Sequence, residues 1–227
     1  MKNKNALKTK WERGLKEKMD KINKKSDWKT AKADYSDHEL KIFDQAVMED
    51  WETPYMKELA RISTLKGGTV LELGFGMGIS AGFIQRHNIK KHIIIEANKE
   101  VAKKARQFAK KAKYKTEILE GFWEEVIDKI PDESIDGILF DTFPLTEKEF
   151  DKIHFIFFPF AYRKLKSGGI FTYYSDEVNN FSRTHLKKLQ EAGFKLKNIK
   201  KAIVRVNPPR NCEYWKAKTM ISPIIVK

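Results

Sequence analysis

The run Thr69-Val70-Leu71-Glu72-Leu73 passes directly into Gly74-Phe75-Gly76-Met77-Gly78, and few folds can use that pattern. A short apolar run closed by glycine reads as a buried strand. Glycines at this spacing let the backbone turn sharply at the strand's carboxyl end and let a ligand lie against the main chain. A helical pattern follows over 79–86. Together they predict an open α/β sheet with a ligand site at its carboxyl edge. The dinucleotide fingerprint GxGxxG fails, because its third glycine would fall at Ile79, and no Gly-Lys-Ser/Thr follows to make a phosphate loop. What remains is hydrophobic-acidic-hydrophobic-GxGxG, with Glu72 as the acid. S-adenosylmethionine suits it. That molecule has no pyrophosphate to seat on a helix N-terminus, and its sulfonium and amino cations favour acidic neighbours.

The rest of the chain repeats the alternation. Strands are predicted over 92–96, 116–120, 135–141 and 169–174, and helices over 99–113, 147–165 and 184–192, with Pro159 disturbing the second and Gly193 stopping the third. Two further strands, 202–206 and 221–226, follow each other with no helix between them. The predicted fold class is therefore α/β. It is a Rossmann-like class I methyltransferase fold with a seven-stranded, mostly parallel sheet, an antiparallel edge strand and helices on both faces. No internal repeat or long linker appears, so residues 27–227 read as one domain. Within it, 27–66 reads as an N-terminal helical lid over substrate and cofactor. Ile42, Val47, Trp51, Tyr55 and Leu59 fall near one helical face, with Pro54 kinking or starting a helix. Residues 1–26 read as a basic arm.

A formal net charge of +14 over 227 residues admits an RNA or DNA partner. Lysine outweighs arginine, and no RNP-like aromatic motif or zinc-finger spacing accompanies the charge, so a lysine-decorated solvated surface is the preferred reading. No apolar run is long enough to span a bilayer, and the start resembles no secretory signal. With a single cysteine, Cys212, the chain is expected in a reducing cytoplasm, as a monomer or homodimer, and with no metal site.

Two residues support the cofactor loop. Glu96 ends the second strand, where a carboxylate can accept both ribose hydroxyls. Trp123 follows the third strand, where its indole could pack on an adenine face or simply fill the core. Asp141 ends the fourth strand and would face the methyl donor. Methyl transfer to nitrogen needs a lone pair aligned with the sulfonium carbon, and a protonated acceptor also needs a base. The Pro-Pro that follows such a residue in adenine and glutamine methylases is absent here, which points to a cationic acceptor. Glu52, in the amphipathic stretch 47–56, reads from composition as part of a solvated helix face.

With these segments in view the chain resembles the guanidinoacetate N-methyltransferase family from about Trp28 onward. The matching stretches are VMEDWETPYM (47–56), GGTVLELGFGMGIS (67–80), IIIEAN (93–98), GFWEEV (121–126), DGILFDTFPL (136–145) and MISPIIVK (220–227). A fungal protein that methylates the δ-nitrogen of a protein arginine is similar over the core. The resemblance implies S-adenosylmethionine as cofactor, S-adenosylhomocysteine as product and a small-molecule guanidine as acceptor, with guanidinoacetate to creatine as the default reaction. It implies that Trp28, Met48 and Met56 line the cofactor site, that Phe75, Gly76, Met77, Gly78, Ile79 and Ser80 wrap the methionine part, and that Glu96 holds the ribose. Ala97 and Asn98 would flank it, and Trp123 and Glu124 would border the adenine. Glu52 and Asp141 would both grip the guanidinium, with Asp141 taking its proton. One departure stands out. Where the family has a Leu-Thr pair whose backbone N–H groups take the substrate carboxylate, this chain has Asp176-Glu177. Either these side chains face solvent or the acceptor carries an amino group at its far end.

Overall fold

Short apolar runs separated by amphipathic helices dictate the architecture, and a computed structural model describes it for residues 25–145, 149, 153–212 and 214–227. Nearly all of the expected basic arm lies outside these residues, as does most of the start of the helix expected over 147–165. The described chain begins with helix α1 (Lys25–Thr30), then strands β1 (Ala33–Tyr35), β2 (Glu39–Ile42) and β3 (Gln45–Glu49). A 3₁₀ turn, Asp50–Glu52, leads into α2 (Thr53–Ser63). The doubly wound part follows: β4 (Thr69–Leu73), α3 (Ile79–Ile84), β5 (Lys91–Glu96), α4 (Lys99–Lys111), β6 (Thr116–Glu120), α5 (Trp123–Val126) and β7 (Ile135–Phe140). It closes with α6 (Ile153–Lys164), β8 (Leu165–Tyr173), α7 (Arg183–Glu191), β9 (Ile199–Arg205) and β10 (Thr219–Val226).

The sheet has the order β6-β5-β4-β7-β8-β10-β9. The first five strands are mutually parallel, and β10 runs antiparallel to both neighbours. The seven-stranded class I methyltransferase fold is thus as expected. The antiparallel strand sits one place in from the edge, because the chain turns back after β9 and inserts β10 between β9 and β8. The outer strand β9 carries Lys200, Lys201 and Arg205, charges that discourage further strand pairing.

Sheet register aligns the carboxyl ends. Leu73 is level with Ile95 and Phe140, Glu96 with Glu120, and Phe140 with Tyr173. Gly74, Glu96, Gly121, Asp141 and Tyr174 therefore emerge in a row along one edge. The chain runs outward from β4 in one direction and resumes at β7 on the other side, so a crevice opens between their ends. Gly74 lies where these ends converge. Its φ is +88°, and a Cβ there would stand 1.9 Å from the carbonyl oxygen of Asp141. No other residue fits that approach.

Core layers cover both faces. Val70, Ile94 and Leu139 pack with Tyr55, Leu59, Ala81 and Ile84 on one face. Leu71, Leu73, Ile138 and Phe140 pack with Phe157, Phe158 and Phe171 on the other. Each such large side chain contributes about 1.5–3 kcal/mol through burial. Pro159 sits inside α6 without ending it. Among the described residues no helix is long and apolar enough to cross a membrane.

The helical reading of 27–66 is corrected. Residues 33–49 form a three-stranded antiparallel sheet, β1-β2-β3. Phe43 and Asp44, at φ 52° and 58°, make a two-residue hairpin turn between Ile42 and its partner Gln45. Leu40 and Ile42 are buried two residues apart, at 0% and 1% exposure, which is strand periodicity. The helical periodicity holds only from Thr53, where Pro54 lies in the first turn of α2.

Candidate active site

A cavity of about 1140 Å³ opens at the carboxyl edge of the sheet. Its floor is the row of strand ends, and its cover is the β2–β3 hairpin together with the 206–218 connection between β9 and β10.

One half is organised by Glu96. Its carboxylate is buried and accepts the backbone N–H of Phe75 at 2.9 Å and of Asn98 at 2.8 Å. Burial pushes its pKa above the usual carboxylate value despite those bonds. The glycine turn beside it is held from several sides. Tyr35 donates to the carbonyl of Gly76 at 3.0 Å, and the Met48 sulfur accepts from Met77 N at 3.3 Å. A Cβ on Gly76 would stand 2.8 Å from that sulfur. Ser80 donates to Glu72, whose other oxygen faces Nε2 of the buried His92 at 2.9 Å. Trp28 stacks on Phe143, with centroids 5.1 Å apart and planes 10° apart.

Of the residues expected around the cofactor, Trp28, Met48, Gly74, Phe75, Gly76, Ser80, Glu96, Ala97, Trp123, Glu124 and Asp141 line the cavity. Met56, Met77, Gly78, Ile79 and Asn98 stand behind the wall. Met56 is fully buried on α2. Gly78 is the left-handed cap of α3, and Met77 and Ile79 pack on the core. The Asn98 side chain is committed to the scaffold. It caps α4 through Glu100 N and Val101 N and donates to the carbonyls of Trp28 and Ala31 at 2.8 and 2.9 Å. Trp123 reaches the cavity but meets Phe140, Phe157 and Phe160 edge-on, with centroids 5.1–6.3 Å apart, so most of its ring is core.

The other half is organised by two carboxyls. Glu52 ends the 3₁₀ turn, is 4% exposed, and accepts the Glu49 backbone N–H at 3.1 Å. Burial and the charge of Asp141 push its pKa up to about 8. Asp141, half-buried at the end of β7, is pushed up to about 7 by burial and by the charge of Glu72. The Tyr174 hydroxyl lies beside the Glu52 carboxyl without closing a well-formed hydrogen bond to it. Tyr55, one turn along from Glu52, locks this corner by donating to the carbonyl of Ile221 at 2.9 Å. Two carboxyls buried this close share protons near neutral pH and ionise fully when a cation enters between them.

Asp176 and Glu177 part company. Asp176, at φ 54°, lines the cavity. Glu177 does not line it, contrary to its expected substrate contact. Its Oε1 accepts Ser182 N at 2.8 Å and its Oε2 faces His185 Nδ1 at 3.4 Å, and these partners hold its pKa down. It braces the start of α7. Glu177→Gln should therefore cost about 1–2 kcal/mol of stability, seen in thermal melts, and leave KM for the acceptor unchanged.

Several cavity residues were absent from the expected set. Gln45 Nε2, Thr142 Oγ1 and Trp215 Nε1 are buried on the wall with no hydrogen-bond partner among the described residues. Buried polar groups normally have partners, and these three line the cavity, where a polar ligand can reach them. Together with the glycine cradle and Glu96, they fit S-adenosylmethionine, a molecule with ribose hydroxyls, adenine nitrogens and an amino-acid end. Adjacent aromatics in the 206–218 connection, Tyr214-Trp215, were the available signal. Among the described residues no group of His, Cys, Asp and Glu could hold a metal ion.

A family model described as guanidinoacetate N-methyltransferase matches residues 18–227. The chain belongs to that family. Membership places it among the class I S-adenosylmethionine-dependent methyltransferases. The guanidinoacetate N-methyltransferase relationship extends to fungal enzymes. "Protein arginine N-methyltransferase 2" of Candida glabrata is 43% identical over 104 residues, covering 43% of this chain and 25% of the relative. Its Saccharomyces cerevisiae counterpart is 38% identical over 106 residues, covering 43% and 26%. The chain thus spans about a quarter of the length of these curated relatives. Among solved structures, spermidine synthase from Thermotoga maritima aligns with a TM-score of 0.61 at 17% identity, covering 86% of this chain and 72% of that one. An S-adenosylmethionine-dependent methyltransferase from Archaeoglobus fulgidus aligns at 0.53 and 14%, covering 76% and 93%. At these identities the likeness shows the fold alone.

Proposed function

We propose that this chain methylates a guanidino nitrogen of a small molecule, with S-adenosylmethionine as donor. The observation that carries the reading is the pair Glu52 and Asp141, two carboxyls that line the cavity near enough for the charge of Asp141 to act on Glu52. A planar guanidinium presents paired N–H donors on more than one edge, and two carboxylates can take them in bidentate fashion. The donor supplies an electrophilic methyl carbon when bound. Glu96 would hold its ribose, the turn from Gly74 to Gly76 and Ser80 would hold its methionine end, and Trp123 and Glu124 would border its adenine. Glu52 fixes the plane of the acceptor. Asp141 accepts the proton that the acceptor nitrogen sheds as its lone pair is used. A free guanidinium has a pKa above about 12, so a fixed anion beside the reacting nitrogen is needed to free that lone pair at neutral pH.

Residues 27–66, with β1–β3 in place of the expected helix, would cover the site. Guanidinoacetate, which names the family, is the acceptor against which others are compared, and a role in making creatine would follow only if it is the one preferred. The single cysteine, Cys212, is free and buried, which suits a reducing cytoplasm.

The test is release of S-adenosylhomocysteine with guanidinoacetate, agmatine, arginine and taurocyamine as acceptors. Turnover with at least one of them is expected, and none with the matching amines or ureas. No turnover with any guanidine would sink the reading. The likeness to the fungal arginine methyltransferases supports a second reading, an arginine side chain of a protein. Methyl label appearing only in a protein band from cell extract would select it.

A further inference from the structure

Building on the guanidine reading, we propose that the far end of the acceptor is cationic: a guanidino-alkylamine rather than a guanidino acid. The cavity is a ligand site on independent grounds, since Gln45 and Trp215 are 6% and 8% exposed and present unpartnered N–H groups on its wall among the described residues. The sign of the wall then selects the ligand. Apart from Lys41 and Lys216, every charged side chain lining the described cavity is a carboxylate, and arginine is absent from it. Lys41 is paired with Glu39 at 2.6 Å, so those two charges cancel, and Lys216, which donates to the carbonyl of Arg210 at 3.0 Å, leaves one cation against the remaining carboxylates. Two neutral N–H donors do not offset that sign.

Asp176 extends the acidic lining on the acceptor side. It follows Tyr174 by two residues off the end of β8, and its charge acts on the hydroxyl of Tyr174, which lies beside Glu52. A guanidinium seated between Glu52 and Asp141 would direct its other end toward a wall carrying Asp176. A carboxylate on that end meets like charge and an ammonium meets opposite charge, both screened by salt at an exposed residue. Glu177 has no part in this, being withdrawn onto Ser182 and His185.

Acceptors matched in length and differing only in their far end test the proposal. One trio is agmatine, butylguanidine and 4-guanidinobutyrate; the other is 2-guanidinoethylamine, ethylguanidine and guanidinoacetate. In the better-turned-over trio, kcat/KM should fall from amine to alkyl to acid, with about 30-fold between the ends at low salt. Because Asp176 is exposed, the ratio should shrink as salt rises. In Asp176→Asn, which tolerates the left-handed backbone, the ratio should drop at least about fivefold. The salt series on wild type decides the matter even if that variant folds poorly. Acid equal to or better than amine in both trios, or a ratio indifferent to salt and to Asp176→Asn, would overturn the proposal. If the alkylguanidines are methylated while the amines do not lead, the guanidine reading stands and the cationic end falls. If no member of either trio reacts, the cationic end falls, and the guanidine reading falls with it unless arginine or taurocyamine is methylated.

Discussion

Asp141→Asn should lower kcat by about 10³-fold while leaving the affinity for S-adenosylmethionine within about threefold of wild type. The substitution keeps the shape of the side chain and an oxygen acceptor, and it removes the charge and the basicity. The backbone bond from Asp141 N to Leu73 O, 2.9 Å, is untouched, so the β4–β7 edge that seats the donor survives. Single-turnover kinetics beside a calorimetric titration with the cofactor separate the two effects. Turnover near the wild-type rate would remove Asp141 from proton transfer. Loss of cofactor binding in parallel with turnover would make its role structural.

Glu52→Gln should raise stability at alkaline pH while abolishing turnover. The Glu52 carboxyl is pushed up to about 8 in the fold, against an ordinary value of 4.5. A raised carboxyl pKa means that the fold favours the protonated form. That contribution is fully present below pH 4.5 and is lost as pH climbs through about 8. The free enzyme should thus melt lower at pH 9 than at pH 6. Glutamine mimics the protonated acid at every pH and can still accept the Glu49 N–H. A gain of about 2 kcal/mol at pH 8–9, or roughly 4–8 °C in Tm, is expected together with loss of nearly all turnover. The same carboxyls set the pH profile. In the free enzyme Asp141 titrates near 7 and Glu52 near 8, so kcat/KM should rise from pH 6 and level off above pH 8 as both become available to a cation. A variant that melts lower than wild type at pH 9 would contradict the burial argument.

The fold was legible because its signals are local. Each parallel strand is a short apolar run between turn residues, and the glycine turn after Leu73 needs no partner to be recognised. The β1–β3 sheet was not legible. Its strands are three to five residues long, and its hairpin turn uses Phe43 and Asp44 in the left-handed region where glycine or asparagine is the usual sign. The spacing of Ile42 and Val47 then mimicked a helix whose real start is Thr53. The site was legible where strand register alone delivers a residue, as with Glu96 and Asp141, each at a strand's carboxyl end. Gln45 and Trp215 reach the cavity only through the two segments folded over it, and no local pattern announces that. Asp176 and Glu177 read alike as adjacent acids, but Ser182 and His185 on α7 draw one away and leave the other at the cavity.

The most direct measurement is the position of a transferred methyl group. With ¹³C-methyl S-adenosylmethionine and an unlabelled small guanidine, carbon NMR should show one new N-methylguanidinium resonance with the wild-type protein and essentially none with Asp141→Asn. Label on an amine or on a carboxylate, with the guanidine returned unchanged, would contradict a site in which Glu52 and Asp141 grip a guanidinium.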